Sequence, residues 1–154
     1  MSLNCFYNAI ERGDTAEVRA LLPSYRREDD PGDGVMSHAF HSNPSMLPLL
    51  LQLGIDPDER DTFGNTVLMS AAAQGSMDAI RLLLDAGADI DARNHDWETP
   101  FSFACAWDQL EAAQFLHARG ANVRCEHREG GTPFDDGCAS PRIRAWLAEL
   151  ARAM

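Results

Sequence analysis

The chain repeats itself every 33 residues. "LLLDAGADIDAR" at Leu82–Arg93 returns as "FLHARGANVRCE" at Phe115–Glu126, with no gap between the copies. A fixed period of this size signals a stack of small structural units, each too small to bury its apolar face alone. The same shift aligns Asp61–Arg93 with Asn94–Glu126, reaches back to Glu28–Arg60, and runs forward into a last copy, His127–Met154, that stops short. Leu3–Arg27 reads as a shortened first copy with its own Gly13, Val18, Leu21 and Leu22. The organisation expected is one domain over residues 1–154, with a cap at about 3–27, units at 28–60, 61–93 and 94–126, and a second cap at 127–154.

Each unit has a physical grammar. Thr66, Thr99 and Thr132 are placed to cap a helix with their hydroxyls. Pro100 and Pro133 then suit the first helical position, where no amide donor is needed. A short alanine-rich helix follows, with "AAA" at Ala71–Ala73 and "ACA" at Ala104–Ala106, whose small side chains permit close helix contact. A break comes at Gly75 and again at Asp108. The second helix carries apolar residues at spacings of three and four, Ile80, Leu83 and Leu84 in one unit and Phe115 and Leu116 in the next. Gly87 and Gly120 suit the left-handed conformation that ends a helix. The segment "DIDARNHDWE" has the polar turn character of a hairpin.

Asp61, Gly64, Thr66, Leu68, Ala71, Ala72, Gly75, Leu83, Leu84, Gly87, Ala88 and Asp89 together resemble the ankyrin repeat, and Thr99-Pro100-Phe101 and Thr132-Pro133-Phe134 repeat its core phrase. The resemblance covers nearly the whole chain. It implies an all-α ankyrin-repeat solenoid of about five helix-turn-helix units joined by projecting hairpin fingers. Three departures stand out. Met69, Ser102 and Asp135 occupy the position of the family's histidine, so the bonds that histidine makes between repeats are not carried over. The Glu28–Arg60 unit has "DPGDGVM" where a turn and Thr-Pro belong, which predicts an irregular turn. Trp97 replaces the turn glycine; it either forces a different turn or puts a large aromatic on the finger.

Nothing in the chain rises to a catalytic constellation. His38 and His41 form H-x-x-H, but His38 stands where the family packs an alanine, so a structural role is favoured over a metal site. Cys125 and His127 have no second pair at zinc-finger spacing. Cys105 and Cys138 fall at equivalent repeat positions that call for a small buried residue. Asp135-Asp136 and Asp56-x-Asp58 read as solvated turn acids. Neither "GDG" nor "EGG" has the lysine and helix of a phosphate loop. Neither an enzyme nor a cofactor is expected.

Composition narrows the partner. The net charge of −11 repels nucleic-acid phosphate, and all thirteen basic residues are arginine. Biased codon usage is the favoured reading of the missing lysines, over avoidance of lysine modification. No apolar run approaches the ~18 residues of a membrane helix; "MLPLLL" at Met46–Leu51 is too short. No secretory signal is legible. With four cysteines and no C-x-x-C pair, reduced thiols in a cytoplasmic, free-standing monomer are expected.

The ankyrin resemblance implies a concave binding face built from finger tips and the exposed side of each first helix. Carried onto this sequence, it puts Asp29, Asp30, Phe40 and His41 there from the second unit, and Phe63, Asn65 and Gln74 from the third. From the fourth come His95, Asp96, Trp97, Glu98 and Trp107, and from the last Arg128 and Glu129. Aromatics in such a groove anchor interfaces, unless Trp97 and Trp107 pack on each other to stiffen the finger. The acids there, with Asp33 and Asp108, suit a basic protein partner. Small acidic ankyrin proteins resemble bacterial immunity proteins that block a toxin. An adaptor or scaffold subunit and a host-directed effector are the other roles the resemblance allows.

Overall fold

Helices account for most of the residues that the computed structural model describes, namely 3–25, 34–124 and 140–153. Their contacts group into two compact units, Met1–Val67 and Leu68–Met154. The division falls inside the third repeat, where its hairpin gives way to its first helix.

In the first unit, α1 (Leu3–Arg12) turns at Gly13 into α2 (Thr15–Leu21). Phe6, Ala9 and Ile10 of α1 lie at helical spacing and are buried. Asp14 caps α2 by accepting from the Glu17 amide at 2.9 Å. Then come α3 (Val35–Ser42), a 3-10 turn at Pro44–Met46, and α4 (Leu47–Gln52). α1 packs on both α2 and α3. Asn43 fixes the join by donating its side-chain amide to the Ile10 carbonyl at 3.2 Å.

The irregular entry to α3 has a specific solution. The helix lacks a capping hydroxyl, and Gly34 stands before it in the left-handed region at φ 82°. The cap comes instead from Glu59, whose Oε2 accepts from the Met36 amide at 3.0 Å while Oε1 accepts from the Tyr25 hydroxyl at 2.9 Å. Glu59 is itself buried. A side chain at position 34 would meet that carboxylate at 2.7 Å, so glycine is required both by its φ and by the space. Glu59→Ala leaves a helix-end amide and a hydroxyl without this acceptor. It is expected to cost about 1–3 kcal/mol, read as a lower urea midpoint by circular dichroism.

In the second unit, α5 (Val67–Gln74), which begins at the division, precedes α6 (Met77–Asp85). These are followed by α7 (Pro100–Ala106), α8 (Leu110–Ala118) and α9 (Pro141–Ala153). The alanine pair Ala71 and Ala72 and the equivalent Ala104 and Cys105 are all buried. Thr99 caps α7 as expected, and Ser102 makes the cap reciprocal: the Thr99 amide donates to Ser102 Oγ at 2.8 Å, and the Ser102 amide donates to Thr99 Oγ1 at 3.3 Å. Serine at the family's histidine position thus serves its own helix. Thr66 is buried directly ahead of α5, while Thr132 lies outside the described residues.

The 33-residue period is visible atom by atom. Leu50, Leu83 and Leu116 are each wholly buried. Their carbonyls accept from the amides of Ile55, Ala88 and Ala121 at 3.0–3.1 Å, across Gly54, Gly87 and Gly120 at φ 85°, 91° and 95°. Nothing lies within 4 Å of a side chain built at these three glycines, so backbone conformation alone demands them. The architecture is the all-α ankyrin-repeat fold.

Candidate interaction surface

The two described fingers are built alike, one in each unit. In the first, Asp61 Oδ1 accepts from the amides of Phe63 and Asn65, and the Gly64 amide donates to the Asp61 carbonyl. In the second, 33 residues on, Asn94 Oδ1 accepts from the amides of Asp96 and Glu98, and the Trp97 amide donates to the Asn94 carbonyl. A side chain that bonds the backbone two residues ahead stabilises a turn locally. The brace across each finger is the same amide-carboxylate bond with its ends exchanged. Asn65 donates to Asp61 in one and Asn94 donates to Glu98 in the other, both at 2.9 Å.

Trp97 therefore does not force a different turn. It takes the left-handed conformation of the glycine it replaces, at φ 65° against 81° for Gly64. A bulky residue there carries strain of the order of 1–3 kcal/mol. The residue is 50% exposed, so packing of the indole offsets that strain only in part. Trp97→Gly and Trp97→Ala both delete the indole, but only glycine relieves the backbone. The glycine variant is expected to be the more stable of the two by about 1 kcal/mol, the reverse of their order in an ordinary helix. Thermal denaturation of the pair checks this, and equal or inverted stabilities would count against strain at Trp97.

Trp107 stands at the other end of α7, as its C-cap, 64% exposed. Asp108 beside it also adopts a left-handed conformation, φ 58°, where the preceding repeat uses Gly75 at 65°. Asp108 Oδ1 accepts a short hydrogen bond from Ser140 Oγ, which also caps α9 through the Ile143 amide. Among the described residues Trp97 and Trp107 make no ring contact with each other, and neither indole N–H finds an acceptor. Phe63, on the finger of the first unit, is 70% exposed. These three are the exposed large hydrophobics of the described residues.

The remaining expected surface residues divide. Gln74, His95 and Asp96 are exposed, and the Asp96 carboxylate has no partner among the described residues. Asn65 and Glu98 are only half exposed and serve the finger braces. Phe40 is a correction: it is 4% exposed, because it follows Met36 by four residues on the buried stripe of α3, and its ring is not available to a partner. His41 is exposed, with Nδ1 at 2.8 Å from the Ser37 carbonyl. His38 lies against the Tyr7 ring at 4.4 Å, with Nε2 at 3.2 Å from Glu11 Oε1 but not aligned for a hydrogen bond. Asp29, Asp30, Asp33, Arg128 and Glu129 lie outside the described residues, as do Cys125, His127 and Cys138. Cys105 is buried in α7.

One feature of the second helices has only a faint sequence signal, arginines one turn from an aromatic on neighbouring repeats. Arg81 and Arg119 place their guanidinium carbons 5.2 and 5.6 Å from the centre of the Phe115 ring, and Arg119 pairs with Asp85 at 3.2 Å. Among the described residues, no three His, Cys, Asp or Glu side chains are grouped to hold a metal ion, and no helix is long and apolar enough to cross a membrane.

Comparison with known families matches residues 35–127 to ankyrin repeats, in three copies. The chain belongs to the ankyrin-repeat family. No curated protein matches it. Ankyrin repeats are non-enzymatic protein-protein interaction modules, and the matched segment contains both described fingers and all three exposed aromatics.

Proposed function

We propose that this ankyrin protein, as a single domain and a monomer when free, binds a basic protein through the exposed aromatic and acidic side chains of its fingers and first-helix ends. The observation that carries this reading is the exposure of Phe63, Trp97 and Trp107, two on the finger turns and one at the C-cap of α7. Tryptophan is enriched among the energetic anchors of interfaces. The net charge of −11 favours a cationic protein and disfavours nucleic acid and anionic membrane surfaces. A blocking role, as an immunity protein covering the basic surface of a toxin in the cytoplasm, agrees with this better than a scaffold role. The large exposed rings sit at fingers and one helix end, while the second helices carry the arginine-flanked Phe115. Affinity capture with the wild-type chain and with Trp97→Ala, followed by mass spectrometry, tests the reading. A basic protein retained by the wild type and lost from the variant is expected. An acidic partner, or equal retention by both, would count against it.

A further inference from the structure

The chain shows within itself what its exposed aromatics lack. At Phe115, a guanidinium lies over the ring and is neutralised by a neighbouring carboxylate: Arg119 at 5.6 Å from the ring centre and 3.2 Å from Asp85, with Arg81 at 5.2 Å from the same ring. Trp97 and Trp107 have two parts of that arrangement. Each is an exposed indole, a better cation-binding face than phenylalanine, and each is followed or preceded in the chain by an exposed carboxylate. The Asp96 carboxylate has no partner among the described residues, and Asp108 engages one oxygen with Ser140. Among the described residues, the cation is the missing part.

We infer that arginine side chains of the partner complete these two sites, each guanidinium lying over an indole and pairing with the adjacent Asp96 or Asp108. This rests on the interaction reading above and specifies the chemistry of its contacts. Arginine fits better than lysine because the guanidinium is planar and weakly hydrated, so it stacks on an aromatic face and still presents hydrogen-bond donors at its edge. An ammonium must shed a tighter hydration shell to do the same. The two indoles flank α7, whose seven residues span about 10 Å. Each indole takes its own guanidinium, so the partner carries at least two arginines.

Hexa-arginine and hexa-lysine peptides, equal in charge, separate this from plain electrostatic attraction. Titration calorimetry is expected to give a roughly three- to tenfold preference for the arginine peptide, the size of one or two solvent-exposed cation-aromatic contacts. Trp97→Ala and Trp107→Ala should each shrink the preference while leaving lysine-peptide binding in place. Trp97→Gly, which keeps the turn without strain, guards against misfolding as the cause. Equal affinity for the two peptides, or a preference that survives both tryptophan substitutions, overturns the inference. If a basic protein is captured through Trp97 while the peptides bind equally, the arginine assignment falls and the interaction reading stands. If the captured partner is acidic while an arginine preference still depends on Trp97, the arginine assignment stands and the interaction reading falls.

Discussion

Leu83→Ala is expected to cost the fold about 2–5 kcal/mol, the range for removing a large apolar side chain from a packed interior. Leu83 lies in α6 with Ala79 and Ile80 on the buried stripe, and it is wholly inaccessible. Leu50 and Leu116 are buried at the equivalent positions of the adjoining repeats, so the site is part of the repeat and not a local accident. The next residue supplies the control. Leu84 is half-buried, and the same truncation there removes less contact and leaves no closed cavity. Urea unfolding should therefore rank Leu83→Ala well below Leu84→Ala in stability. A cost under half a kcal/mol at Leu83 would mean that the repeat register is wrong.

The largest effect on binding is expected at the tryptophans. Trp107→Ala should lose about 2 kcal/mol or more of partner affinity, mainly through faster dissociation, as truncation of an anchoring aromatic does. Its 64% exposure in the free chain predicts an unchanged circular dichroism spectrum. Asp96→Arg should act differently. It places like charge before a basic partner, so association slows, and the effect fades as salt rises. Asp96 is the acid to reverse because its carboxylate is unpaired among the described residues. Glu98 braces the finger through Asn94, and its reversal would disturb the turn as well as the charge. Kinetics of both variants at two salt concentrations separate the two mechanisms. If neither differs from the wild type, these side chains do not face the partner.

The repeat was legible because its signals are local and recur. Thr99, the alanine pairs and the closing glycines each act within a few residues of their own position, and each was visible at a spacing of 33. Trp97 was legible only as an alternative, since letters show that glycine is missing from a turn but not whether the turn survives without it. The Asn94 side chain, which accepts from two finger amides, holds the turn in place. Phe40 misled because equivalence between repeats stood in for packing: Ala106, two units on, is exposed at the position where Phe40 is buried. Glu59 was out of reach altogether, because its partners Tyr25 and Met36 lie 34 and 23 residues away.

That last connection sets an order of events during synthesis. Thr99 stands directly ahead of α7, so the cap of that helix is available as soon as its first turn forms. α3 must wait for a carboxylate supplied 23 residues later, at the threshold of the following hairpin. Until Glu59 has emerged, the start of α3 frays, and the Tyr25 hydroxyl lacks this acceptor. Closing so long a loop carries an entropic cost that local capping avoids. The second repeat, Glu28–Arg60, thus closes on itself only once its last residues are made, and the start of α3 is the part of that repeat to be secured last.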